Sequence, residues 1–348
     1  MAKKKKPKPP VLYAYNTDDN ELNKRFYQRY DESFVFNKAI ALACILEDEE
    51  KFKLLAAEYQ NIDPSRINDK FFENLRAELH FTEMHQFEGF FALLIAIFKD
   101  LPHWIYLTAY HTSQIADAIH QFIEGDIKAL TDGMAENDRE FVSMAVYATY
   151  EPQEGPSKEQ WDENLDNIAW LIRHMAEKYM ASKAEYNSYK HGLRVMTGES
   201  SFGLALNSPA GQPIGPFRTV AHSVDAFDFL ELEEGVMQTL QDPITKQTAE
   251  VFKPKKDDKD EEETKEKDER VINEVKVTRV YETTKFFNPK QSLVHLDMMN
   301  RLLATIKNTR LAYYTDKGQL GPLMTLFNLD RDEIVALREK YFQFRVSI

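Results

Sequence analysis

A mainly α fold is predicted, an antiparallel helical bundle with a β-rich insertion between the last two long helices, and three observations lead to it. Apolar residues recur at steps of three, four and seven over several long stretches, which places them on one face of a 3.6-residue helix. From 193 to 287 the texture changes: Gly or Pro stands at 198, 203, 209, 211, 213, 215 and 216, and apolar residues alternate as in strands. A helical pattern then resumes at Pro289. The resulting organisation is a disordered basic tail (1–19), a helical bundle (20–192), a β-rich insertion (193–287) carrying a charged loop (253–270), and a last segment (288–348). In that segment a helix returns to the bundle and is followed by a short helix and a terminal strand.

In chain order, Asn20 to Tyr59 reads as one or two helices with Phe26, Tyr30, Phe34, Ile40, Leu42, Ile45, Leu46, Phe52 and Leu55 on their apolar faces. Asp63-Pro64-Ser65 is a turn. Asp69 to Phe98 reads as one long helix stopped at Leu101-Pro102, and Ile105 to Leu130 as its antiparallel hairpin partner. Asp138 to Tyr150 is shorter, and 151–156 is a loop. The stretch Asp162 to Leu193 organises the rest: Trp161, Leu165, Ile168, Ile172, Met175, Tyr179 and Tyr186 form a core stripe beside the small residues Ala169, Ala176 and Ala184. Gly192 suits the end of that helix. Ala226 to Leu232, Val236 to Leu240 and Val271 to Phe287 have strand character, and Asn288-Pro289 opens a long helix to Tyr314 with Leu293, Leu296, Met299, Leu302, Leu303 and Ile306 inward. A short helix near Asp330 to Lys340 and a strand from Phe342 complete the chain.

Composition narrows the function. With 348 residues, 43% of them hydrophobic, the chain can fill one large core or two modest ones. A net charge of −13 argues against a body coated for nonspecific nucleic-acid binding. The longest apolar run, Phe90 to Phe98, is about half of what crosses a bilayer, so no membrane partner is expected. No apolar segment follows the lysines at 3–6, which therefore read as a solubility tail, and a cytoplasmic protein is expected. The single cysteine, Cys44, excludes an internal disulfide and a cysteine zinc cluster, and its apolar neighbours suggest a small core residue.

Besides the basic tail, whose five lysines could hold RNA or anionic lipid but make a poor anchor, two groupings could carry chemistry. Glu78, His80, Glu83, His85 and Glu88 on one helix, with His111, Asp117, His120 and Glu124 on its expected partner, resemble the way bundles build metal sites. No histidine has a glutamate three residues before it, however, so the di-iron spacing is missing and no metal or cofactor is expected. The second grouping is the helix end. Asn187 and His191 at i, i+4 put an amide and an imidazole on one face, where His191 can exchange a proton near neutral pH and Asn187 can orient it. Lys190 and Arg194 add charge for a phosphate.

From the asparagine onward, Tyr186-Asn187-Ser188-Tyr189-Lys190-His191 resembles the Arg-Asn-x-x-x-His signature of the HEPN superfamily of helical-bundle proteins, many of them RNA-cutting toxins and prokaryotic defence components. Tyr186 stands where that family has its arginine. The resemblance covers the motif and the bundle texture of 20–192 and 289–314, and leaves the β insertion outside it. It implies an RNA-directed, defence-associated protein that cleaves RNA without metal or is a degenerate relative of such enzymes, with RNA as a partner and a homodimer or protein partner. In that reading His191 is the acid or base, Asn187 its orienter, and Lys190 or Arg194 the phosphate contact. A noncatalytic interaction protein is the alternative, and a metal-dependent bundle enzyme the third reading.

Overall fold

A computed structural model of the chain describes residues 17–60, 63–149, 156–190, 195–204, 218–241, 248–254, 271–315 and 343–347. The expected basic tail as far as residue 16, the charged loop from 255 onward and the short helix near Asp330 to Lys340 lie outside the described residues, and the tail's expected end at 19 is corrected, since Asp18 caps α1 and Asp19 begins it. The mainly helical class holds. In order the helices are α1 (Asp19–Arg29), α2 (Phe34–Glu47), α3 (Glu49–Gln60), α4 (Asp69–Ile97), α5 (His103–Ala109), α6 (Thr112–Ile123), α7 (Lys128–Thr131), α8 (Asp138–Val142), α9 (Lys158–Ala181), α10 (Lys183–Lys190) and α11 (Pro289–Thr315). No helix among the described residues is long and apolar enough to cross a membrane.

Local chemistry explains most helix starts. Asp18 accepts from the amides of Asn20 and Glu21 at 3.0 and 3.2 Å, and Asn288 takes those of Lys290 and Gln291 at 2.9 and 3.3 Å, with Pro289 in the first position where a missing N–H costs nothing. Before α9, Ser157 and Gln160 bond reciprocally as a capping box, at 3.0 and 3.3 Å.

Several expected helices are divided. Asn20 to Tyr59 makes α1, α2 and α3, because Asp48 caps a new helix by accepting from Lys51 N at 3.0 Å. The hairpin partner expected over Ile105 to Leu130 is instead α5, α6 and α7: Tyr110 is extended, ending α5, and Gly125 at φ 99 follows the last turn of α6. The organising helix is interrupted at Ser182, whose amide shares the carbonyls of Lys178 and Tyr179, both at 3.1 Å. The strands are β1 (Val195–Leu204), β2 (Arg218–Gln241), β3 (Thr248–Pro254), β4 (Val271–Phe286) and β5 (Gln343–Ser347). All pairings are antiparallel, in the order β1-β2-β4-β5 with β3 also on β2.

The chain divides into two compact units. One comprises Met1–Ser33, Glu88–Ala176 and Met299–Leu329, the other Phe34–Phe87, Glu177–Met298 and Asp330–Ile348. In the first, Phe90, Phe91, Leu94, Ile119, Phe141, Ile168, Ile172, Leu302 and Ile306 are buried. Arg173 forks onto Asp138 at 2.9 and 2.7 Å, donates to Phe122 O at 3.0 Å and lies 4.4 Å above the Phe122 ring. After α8, Ser143–Tyr147 forms a π turn, and Arg310 donates to the carbonyls of Met144 and Ala145 there. In the second unit, Leu79 and Leu296 pack with Ala39 and Leu42 of α2, and Phe72 packs with Ala56 and Ile67. The expectation of Cys44 as a core residue is corrected here: it is exposed.

His103 is buried in the first unit, with Nδ1 on the Tyr27 hydroxyl at 2.8 Å and its amide donating to Asn23 Oδ1 at 2.7 Å. Burial, with the Arg310 charge adding to it, pushes its pKa down from 6.5 to about 3. In the pH range between these values the unfolded chain binds the proton and the folded one does not. Stability is therefore full above pH 6.5 and falls as the pH drops toward 3, by up to about 1.4 kcal/mol per pH unit for one such group. Urea midpoints measured from pH 7 to 4 should fall, and His103→Gln should flatten that slope whatever it does to the midpoint at pH 7.

Candidate functional site

The organising stripe is core as expected: Trp161, Leu165, Ile168, Ile172, Met175, Tyr179 and Tyr186 are all buried. At the helix end, α10 turns two tyrosines toward α4. Tyr186 is 1% exposed and its hydroxyl meets His85 Nδ1 at 3.1 Å. Tyr189 stacks on Phe81 with centroids 4.1 Å apart and donates to Glu78, which also holds Lys38 at 2.6 Å. Burial, with the Glu78 hydrogen bond and charge, pushes the Tyr189 hydroxyl well above the usual tyrosine range. Asn187 and Lys190 are exposed, the latter with its ammonium 4.1 Å from the Tyr186 ring. His191 and Arg194 lie outside the described residues.

The carboxylate and imidazole cluster of α4 takes different partners from those expected. On α6, His120 and Glu124 form an exposed pair at 3.7 Å, and His111 caps the helix start. Glu83 instead meets residues of α9 and α11. Its Oε1 is 2.6 Å from Lys178 Nζ and 2.6 Å from His295 Nδ1, its Oε2 accepts from Ser292 Oγ at 2.6 Å, and His80 Nδ1 lies 3.8 Å away. Lys178 Nζ and His295 Nδ1 are themselves 2.9 Å apart. Lys178, Ser292 and His295 were invisible as partners because they stand about a hundred or two hundred residues beyond Glu83, and nothing local announces such a pairing.

Proton placement follows from this triangle. One imidazole nitrogen cannot donate to the carboxylate and accept from the ammonium at once. The shorter, charge-assisted contact assigns the hydrogen to Nδ1, donated to Glu83, so the shared carboxylate holds Lys178 against His295. Burial alone would push the Glu83 carboxyl up. The Lys178 ammonium, the His295 hydrogen bond and His80 outweigh it and hold the group well below the usual carboxylate range. Burial and the Lys178 charge push His295 below 6.5 against the pull of Glu83, so it is neutral at pH 7.

The cluster is thus a carboxylate and an ammonium in balance, buried with two imidazoles and a hydroxyl. Among the described residues no group of His, Cys, Asp and Glu has the arrangement of a metal site. Comparison with family models, with curated proteins and with solved structures returned no match.

Removing one member of a buried pair strands the other charge, which typically costs about 3 to 5 kcal/mol. Glu83→Ala should lose that much in chemical denaturation, whereas Glu83→Leu combined with Lys178→Met should come within about 2 kcal/mol of the native chain. A double variant as unstable as the single one would show that Lys178 does not depend on Glu83.

Proposed function

We propose that this protein works by binding rather than by catalysis, as a helical-bundle interaction protein in which the HEPN-like helix end no longer cuts RNA. Tyr186 carries this reading. The position where the family places a phosphate-binding guanidinium is filled by a ring in the core, tied through its hydroxyl to His85. The Glu83 cluster points the same way, because Lys178, His295 and Ser292 already occupy both carboxylate oxygens and leave them committed to structure. The β-rich insertion belongs to the proposal as a further partner-binding surface.

The exposed pair Asn187 and Lys190 favours a second reading, an RNA-directed, defence-associated protein that holds RNA through the residues of the Asn-x-x-x-His motif, with His191 and Arg194 contributing as the resemblance implies. A cleavage and binding assay with single-stranded RNA separates the two. The interaction reading expects no metal-independent cleavage by the native chain, His191→Ala or Tyr186→Arg. It also expects Tyr186→Arg to lower stability by several kcal/mol, since a guanidinium would enter an apolar core. Cleavage by the native chain that falls about a hundredfold in His191→Ala, with the melting temperature held, would overturn it.

A further inference from the structure

We propose that the pocket between the start of α1 and the end of α11 binds a small zwitterion, a molecule whose carboxylate and ammonium are joined by a short carbon chain. The pocket belongs to the first compact unit and encloses about 470 Å³, a volume in the range of small-molecule sites. Asp18, Glu21, Lys24 and Tyr314 line it. It shares no residue with α10, so it goes beyond the reading above.

On one side donors are in surplus. Lys24 is half-buried and has neither an ion-pair nor a hydrogen-bond partner among the described residues. Tyr314 accepts from Asn23 Nδ2 at 3.3 Å, and Arg310 acts on the same oxygen as hydrogen-bond donor and as charge. An oxygen that accepts twice still has its own O–H to donate, and that hydrogen meets no acceptor among the described residues. Arg310 is 8% exposed and gives Nη2 to the carbonyls of Met144 and Ala145. Its Nε has no partner, and no carboxylate pairs with the guanidinium among the described residues. Buried cations ordinarily have a counter-charge. Two cations and a hydroxyl hydrogen without acceptors are what a carboxylate satisfies, through charge-assisted hydrogen bonds. The Tyr314 ring is held in place for this, stacked on Tyr27 at 6.1 Å and set edge-on to His103.

The other side carries the opposite sign. Asp18 caps α1 through Oδ1 alone, taking the amides of Asn20 and Glu21 at 3.0 and 3.2 Å, which leaves Oδ2 uncommitted. Glu21 is held by Arg25 at 2.8 Å. No basic residue stands in the last turn of α11 to offset the negative end of that helix. A plain anion would be repelled by these groups, whereas an ammonium is stabilised by them. Asp18 and Lys24 are six residues apart, about 9 Å along the helix axis, so a chain of a few carbons fits between their charges.

The probe is γ-aminobutyrate, with butyrate and butylamine as its two halves, each titrated into the full-length chain by calorimetry. The zwitterion should bind and raise the melting temperature, and each half should bind about tenfold more weakly or worse. Asp18→Asn removes the charge that faces the ammonium and keeps the cap, since asparagine serves equally well there. Lys24→Met removes a donor to the carboxylate. Either change should weaken binding about tenfold or more, with the melting temperature of the ligand-free chain nearly unmoved. Tyr314 and Arg310 stay intact in these variants, because Asn23 and the π turn depend on them.

Butyrate binding as tightly as γ-aminobutyrate, or Asp18→Asn without effect, would make this a plain anion site and overturn the proposal. Butylamine binding as tightly, or Lys24→Met without effect, would make it a cation site and overturn it equally. A zwitterion that releases no heat and leaves the melting temperature alone would remove the site altogether. RNA cleavage by the native chain, which removes the noncatalytic reading, would leave zwitterion binding standing.

Discussion

A carboxylate without water needs a counter-charge and hydrogen bonds, and that requirement at Glu83 constrains the second compact unit more than any other single group. Because the counter-charge is on α9 and the hydrogen bonds come from α11, three helices distant in sequence must take one relative placement before the charge is tolerated. An apolar interface would allow small slips along the helix axes. A carboxylate with partners at 2.6 Å on both oxygens allows very little. The cluster thus supplies specificity at some expense of net stability, since well-packed apolar side chains of similar volume often stabilise as much.

The long helices were legible because length and period reinforce each other. α9 and α11 repeat their apolar residues over many turns, and Leu296, Met299, Leu302, Leu303 and Ile306 are buried as the spacing predicts. α2 was not legible for the opposite reason: a helix apolar on nearly all sides carries no phase, so Phe34, Ile40, Leu55 on α3, and Cys44 could not be sorted into inside and outside. The interruption at Ser182 left no Gly or Pro to mark it. The hairpin expected after α4 failed because a single tyrosine and a histidine cap, rather than a proline, separate α5 from α6.

At the candidate site the two kinds of sequence reading disagreed at one position. Periodicity placed Tyr186 on the core face one heptad beyond Tyr179, whereas the resemblance has an arginine there. The burial of both tyrosines and their ring contact at 6.3 Å follow the periodicity. Apolar phase is a property of the whole helix, enforced by every neighbour in the stripe, and a four-residue spacing of polar groups is enforced by nothing unless chemistry is selected.

The π turn at Ser143–Tyr147 has a consequence for how this chain could change. A turn of that kind is what a helix becomes when it accommodates one extra residue without shifting what lies on either side. The guanidinium of Arg310 collects carbonyls that regular helical bonding would have used, and Asn164 meets the hydroxyl of Tyr147 at 2.7 Å just where the turn ends. Excising a single residue between Val142 and Ala148 would restore ordinary winding and swing Tyr147 about 100° away from Asn164. The guanidinium would lose its acceptors in the same step. Length at this point is therefore as constrained as composition, and an exchange of side chains here should be tolerated more readily than the loss of one.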